Sequence, residues 1–458
     1  MGFTPFDPSY EFVVERHEKP TPDNGAAHTG GTVMPSRRAF CALTAGAFAA
    51  PRFAWGQQQK SQEMSPTTTS HTFFYASLGP ALKLYHIDPE KASLTPVSTA
   101  MLPQKVQYAW PHPSAPFLYV GSSDGGSSSL GVKGDKHYLS ALRIDKSSGE
   151  LQLHGASALL RSRPIHVNVD HAGRFALVAY NNPSSVSVHR INADGTVGDE
   201  VVQTASLDCG IFAHQIRVTP ANDAVILVCR GNDKTKDKAE DPGALKLFAF
   251  KDGQLENRAS VAPDGGYGFG PRHLDFHPSL PLVYVSRERE NKLDVYRLVG
   301  GVLEPQPIFV KDTLADPDHL RSRQAACTLH FHPNGRFLYL ANRAFDTVKV
   351  DGKEVFPGGE NNIAVFAIDQ TTGEPSLIQN EDVRGVYPRT FALDPGARML
   401  AVTDNEPKLV RDGAGFKTIP ANISTFHIGA DGKLSFASNT EIETGGEYQF
   451  WSGMVTVV

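Results

Sequence analysis

The chain has 458 residues, 40% of them hydrophobic and 20% charged, with a formal net charge of -5. That balance fits a folded protein rather than a disordered one, and its sign offers no basic face to nucleic acid, so no such partner is expected. No apolar run approaches the roughly 18 residues that cross a bilayer, and the four cysteines, at 41, 209, 229 and 327, match no zinc spacing.

Residues 1–33 are polar and without periodicity, and read as a disordered leader or a mis-assigned start ahead of Met34. Residues 34–60 read as an address. Ser36-Arg37-Arg38-Ala39-Phe40 resembles a twin-arginine export signal. A weakly apolar stretch at 42–50 follows, then small residues around Ala54-Trp55-Gly56 suited to cleavage. The expectation is a periplasmic or secreted protein with no membrane insertion after the signal is removed. Cys41 would leave with the signal. Cys209 and Cys229 would then either pair in an oxidising compartment or stay buried as free thiols.

From about residue 71 to the C-terminus one pattern recurs. An apolar strand runs into a turn built on His-Pro, Asp-Pro or Gly, and a second apolar strand follows. Examples are Phe276-His-Pro-Ser-Leu-Pro-Leu-Val-Tyr-Val285 and Phe331-His-Pro-Asn-Gly-Arg-Phe-Leu-Tyr-Leu340. Successive anchors are roughly 48 to 62 residues apart, a propeller-blade period. Seven third strands alternate at period two, from Leu82-Lys-Leu-Tyr-His-Ile87 to Ile423-Ser-Thr-Phe-His-Ile428. Residues 61–458 are therefore expected to form an all-β, seven-bladed propeller. The lone strand Met454–Val458 would pair into the first blade and close the ring, which removes the exposed sheet edge. Asn232–Asp241 and Asp346–Asn361 read as loop insertions between second and third strands. A closed ring needs no partner, so a monomer is expected.

A propeller funnel collects residues from the same phase of each repeat. That phase gives His166, His214, His273, His330 and Arg389, with Arg272 adjacent. After the second strands come Tyr180-Asn181, Glu288, Arg343 and Asp404-Asn405. His112, His171, His277 and His332 sit beside Pro or Gly and read as turn residues. Arg272 and His273 are neighbours on one strand, so alternation predicts that only one of them faces the funnel.

The segment Gly268-Phe-Gly-Pro-Arg-His-Leu-Asp-Phe-His-Pro278, followed by Tyr284-Val-Ser-Arg-Glu288, resembles the lactonase propellers. That family includes bacterial 6-phosphogluconolactonases of the cycloisomerase type and fungal carboxymuconate lactonizing enzymes. Pro164-Ile-His166, Phe212-Ala-His214, Thr328-Leu-His330, Asn342-Arg343 and Pro388-Arg389 resemble its other blades. The resemblance implies a catalytic set of His214, Arg272, Glu288 and Arg343. His166, Tyr180, Asn181, His273, His330 and Arg389 are assigned to substrate binding. Opening a lactone with water puts negative charge on the carbonyl oxygen, and a guanidinium aimed there stabilises it. A second guanidinium suits a carboxylate or phosphate on the substrate. Glu288 or His214 would take the proton from water, Arg272 would face the oxyanion, and Arg343 would clamp the substrate anion. Alternatively, an Arg–Glu pair at this place is a structural salt bridge.

The expected ligand is a sugar lactone or another small anion, and the expected reaction is hydrolysis. Cyclisation of a muconate-type diacid and non-catalytic ligand or protein binding are the other readings. No cofactor is expected, and no compact acidic set calls for a metal.

Overall fold

The computed structural model describes residues 70–126 and 133–457. The expected export signal, Arg37-Arg38 and Cys41 lie outside the described residues. Within them the chain forms seven antiparallel sheets of four or five strands, together with two separate two-stranded hairpins. The innermost strands are Ser452–Val457, Lys105–Pro111, Pro164–Val169, Ala213–Val218, Pro271–Phe276, Gln324–Phe331 and Pro388–Leu393. We number their blades one to seven in that order. Neighbouring innermost strands touch from Lys105–Pro111 round to Ser452–Val457, and His71–Leu78 of blade one meets Lys105–Pro111 to complete the circuit. Ser452–Val457 pairs antiparallel with His71–Leu78, with Phe74 opposite Met454, so the last strand joins the first blade.

Burial explains the strand sequences. Second strands are covered on both faces and are almost wholly apolar, as in Ala224–Cys229, where every residue is buried. Outer strands such as Leu434–Glu441 keep mainly their first residue buried and are otherwise mostly polar, with Phe436 exposed. Apolar layers fill the gaps between blades. One joins Phe175, Leu177, Val188, Ile216, Val225 and Phe248 of blades three and four.

The turn residues tie each blade to the next. His112 Nδ1 accepts the N–H groups of Ser114 and Ala115, at 3.1 and 3.0 Å, while Nε2 meets the Gly173 carbonyl of the following blade at 3.1 Å. His277 repeats this with Ser279, Leu280 and Gly335. Tyrosines on second strands tie to the next blade as well. Tyr119 Oη donates to the Gly195 carbonyl at 2.9 Å, and Tyr339 Oη to the Gly432 carbonyl at 2.9 Å. Gly432 holds φ at +79° and has Phe337 2.3 Å from where a Cβ would stand, so only glycine fits that approach.

Both expected insertions follow second strands, and a further one joins them. Val348–Val350 pairs with Lys353–Val355, and Lys408–Asp412 pairs with Gly415–Ile419. The two hairpins meet where the Phe356 N–H donates to the Leu409 carbonyl at 2.8 Å. Cys209, Cys229 and Cys327 are free thiols, with Cys229 Sγ donating to the Cys209 carbonyl at 3.1 Å.

Candidate active site

The funnel is shaped by one device repeated around the ring. Near its start, each of several innermost strands holds one residue more than its partner strand. Ala213 faces Cys229 and Gln215 faces Val228, which leaves His214 unpaired. Arg272 is left out between Pro271 and His273 in the same way, Arg389 between Pro388 and Thr390, and Gln107 between Val106 and Tyr108. In blade six the irregularity falls at Cys327-Thr328. Such bulges suspend strand alternation and re-aim a side chain. This corrects the expectation for Arg272 and His273. Both face the ring interior, because the bulge separates them.

The second strands supply the other wall. Arg230, Glu288, Arg343 and Asn405 each come directly after the residue paired opposite the start of a bulge. Glu288 lies at the centre. Arg343 Nη2 donates to its Oε1 and Arg230 Nε to its Oε2. Arg272 Nε stands 3.3 Å from Oε1, without hydrogen-bond alignment. Arg343 packs over Tyr387 at 4.9 Å and Phe345 at 5.2 Å from the ring centres, with Nη1 3.3 Å from Tyr387 Oη. Arg389 lies 3.6 Å from the centre of the Phe450 ring and donates through Nε to the Phe450 carbonyl at 3.2 Å.

The positive charges exceed the negative ones. Arg272 is only 1% exposed, yet its Nε and Nη1 have no hydrogen-bond partner among the described residues, and neither has Arg343 Nε. Leaving buried donors unpaired is costly, and such groups mark functional sites. Burial alone would push the Glu288 carboxyl up, but Arg230, Arg343 and Arg272 outweigh it and hold Glu288 well below the usual carboxylate range. Burial, reinforced by Arg272, holds His214 and His273 well below the ordinary imidazole value, so both rings are neutral at pH 7. Burial pulls Arg389 down to about 9, still charged at neutral pH.

The structure therefore brings together His214, Arg272, His273, Glu288, Arg343 and Arg389. The His214 and His273 rings are 5.2 Å apart. His166 lies deeper, fully buried, 4.0 Å from the Tyr108 ring and 6.1 Å from His273, and neither ring nitrogen has a partner among the described residues. His330 stands three residues beyond Cys327, or roughly 10 Å along a strand. It belongs to a separate cluster with Asp275, 3.9 Å away, and Phe391, while Asp275 pairs with Arg217 at 3.0 Å. Tyr180 does not face the funnel. It is packed in the apolar layer between blades two and three, with Oη bonded to Ser187 Oγ at 2.7 Å. Asn181 is buried at the end of its strand and makes no ion pair or hydrogen bond with the arginines among the described residues.

The sequence reading passed over Arg230, Gln107, Cys327 and Tyr387. Arg230 was recoverable, since Cys229-Arg230 ends its second strand at the phase that yields Glu288 and Arg343. Gln107 and Cys327 needed the bulge. Among the described residues, no three His, Cys, Asp or Glu side chains converge closely enough to hold a metal ion.

These features define a seven-bladed propeller whose funnel is lined by buried arginines around one carboxylate. Residues 69–411 match the family described as lactonase, 7-bladed beta-propeller, and the chain belongs to that family. It is 27% identical over 332 residues to a 6-phosphogluconolactonase of Bacillus subtilis, covering 70% of this chain and 83% of that protein. It is 30% identical over 323 residues to the 6-phosphogluconolactonase of Pectobacterium atrosepticum, covering 67% and 89%. Among solved structures, the periplasmic gluconolactonase of Pseudomonas aeruginosa superposes with a TM-score of 0.64 at 20% identity, over 85% of this chain and 99% of that one.

Proposed function

We propose that the chain hydrolyses a sugar lactone in the arginine funnel. The observation that carries this reading is Arg272, a buried guanidinium whose Nε and Nη1 have no hydrogen-bond partner among the described residues. A carbonyl oxygen placed against it gains most when it becomes an oxyanion, so the interaction favours the transition state over the bound lactone. Water adds to the carbonyl carbon, the ring C–O bond breaks, and the product is a hydroxy acid. The base is His214 rather than Glu288. The His214 ring is neutral and its Nδ1 is unbonded among the described residues, whereas both Glu288 oxygens face arginines and its carboxylate is held ionised. Glu288 acts as the anion that keeps three guanidiniums together. Arg343 and Arg389 remain to bind a carboxylate or phosphate on the substrate. The expected export signal accords with a periplasmic lactone as substrate.

The test is hydrolysis of glucono-δ-lactone and of its 6-phosphate, followed by pH-stat above the spontaneous rate. Arg272→Gln should lower kcat by about 10²–10³ with KM little changed, the loss typical of a removed oxyanion donor. Equal activity in wild type and variant refutes the assignment. Turnover of a muconate-type diacid alone would establish the cyclising reading instead.

A further inference from the structure

Blade four leaves its second strand at Cys229 and starts its third at Ala244. The chain between folds into a closed strap. Asn232 Nδ2 donates to Asp241 Oδ2 at 2.7 Å, Lys238 Nζ to the same oxygen at 2.6 Å, and the Asp241 N–H to the Asn232 carbonyl at 3.0 Å. Two of the strap's other acids, Asp233 and Glu240, turn toward the funnel wall. Asp233 accepts from Arg230 Nη2 at 2.8 Å and from Arg289 Nε at 2.6 Å. Glu240 accepts from Arg289 Nη1 and, at 2.7 Å, from the N–H of Gly268. Arg230 itself donates to Glu288, so Asp233 lies one guanidinium away from the centre of the site.

These are not loose surface pairs of little energetic weight. The Arg230 and Arg289 side chains are only 16% and 12% exposed, and Arg289 Nη2 is buried without a partner among the described residues. Apart from the strap's outward lysines, Asp237 and Asp241, the funnel wall and the strap face against it hold five guanidiniums, of Arg230, Arg272, Arg289, Arg343 and Arg389, against the carboxylates of Glu288, Asp233 and Glu240. Two positive charges are left over, and that excess sets how strongly a charged substrate is favoured.

We propose that Asp233 is a specificity-determining residue: by engaging Arg230 and Arg289 together it withholds positive charge from the funnel, and so sets the preference between an uncharged sugar lactone and one carrying a phosphate. The inference rests on the lactonase reading of the same funnel. Asp233 does not touch the reacting atoms and acts through Arg230.

The experiment compares kcat/KM for 6-phosphoglucono-δ-lactone with that for glucono-δ-lactone in wild type, Asp233→Asn and Arg289→Gln, at low ionic strength. Asp233→Asn adds one net positive charge and should raise the ratio about fivefold, while Arg289→Gln removes one and should lower it by a similar factor, both effects shrinking with added salt. Opposite movement is a result that mere loosening of a loop does not produce. Ratios within twofold of wild type, or a fall in both variants that melt as wild type does, overturn the proposal. If wild type hydrolyses neither lactone, the lactonase reading fails, and calorimetry with inorganic phosphate decides the charge lock separately. Phosphate binding tighter in Asp233→Asn and weaker in Arg289→Gln upholds it, and unchanged binding in both removes it.

Discussion

Tyr339 and Arg272 are both among the large side chains that folding buries almost completely, and their surroundings treat them in opposite ways. Tyr339 lies between blades six and seven among apolar neighbours, with its one polar atom spent on the Gly432 carbonyl. Arg272 lies in the funnel among other charges, and two of its nitrogens find no hydrogen-bond partner among the described residues. Tyr75, Tyr119, Tyr284 and Tyr339 of the blade interfaces follow the usual rule that a buried polar atom is satisfied, each bonding a glycine carbonyl, and the funnel breaks it several times within a small volume. A region that breaks the rule is stabilised by the rest of the fold and gains only when a ligand arrives. Exchanging residues of the funnel should therefore disturb chemistry, and exchanging residues of the interfaces should disturb stability.

Glu288 is where that division should fail, and the largest effect is expected there. It belongs to the funnel by position, yet it is the shared partner of Arg230, Arg272 and Arg343. Glu288→Gln leaves like charges facing one another in a buried site, and such a loss costs about 3–5 kcal/mol. Denaturant unfolding should show that loss together with a fall in kcat. A variant that unfolds like wild type would mean that the arginines need no central anion.

Tyr339→Phe sharpens the comparison from the other side. The ring still fills its place, but the buried Gly432 carbonyl loses its donor, at a cost of about 1–3 kcal/mol. Thermal unfolding should register this, while kcat and KM stay as in wild type. A change in KM at unaltered stability would mean that the interfaces transmit strain to the funnel.

The same contrast explains what could be read from the sequence. The ring was legible because blade interfaces repeat: the His-Pro turns, the Phe-Leu-Tyr second strands and the glycine turns satisfy the same local demands in each blade. The closing strand was legible because an unpaired edge is a liability. The funnel was less so. His214, Arg272 and Arg389 stand at bulges, and a bulge is set by how two strands pair, which a single strand's periodicity does not carry. Tyr180 illustrates the converse. It adjoins the right phase, but a residue on a regular stretch of strand turns with the pleat, here into the apolar layer. The hairpin at Lys408–Ile419 went unread because short insertion strands alternate at the same period as blade strands.

Asp404 supplies an effect that vanishes in acid and the closest comparison with Glu288. Both are buried acids near the ends of second strands, in blades five and seven. Glu288 is surrounded by guanidiniums, whereas neither Asp404 oxygen has a hydrogen-bond partner among the described residues. Burial, with Asp382 adding to it, raises the Asp404 carboxyl well above its ordinary value. The folded state thus keeps a proton that the unfolded chain releases above about pH 4. By linkage, stability falls as pH rises from that point through the folded-state value, the reverse of the Glu288 case, where stability falls as pH drops. Asp404→Asn keeps the shape of the neutral acid and cannot ionise. It should therefore be more stable than wild type at pH 8, by about 1.4 kcal/mol for each unit by which the folded pKa is raised within that range, with the gain vanishing near pH 4. Melting temperatures of the two proteins across that range provide the check. A variant that is destabilised equally at pH 4 and pH 8 would show that the carboxyl is charged and paired in the folded state, and buried acids at this level of the ring would then not divide into one held ionised and one held neutral.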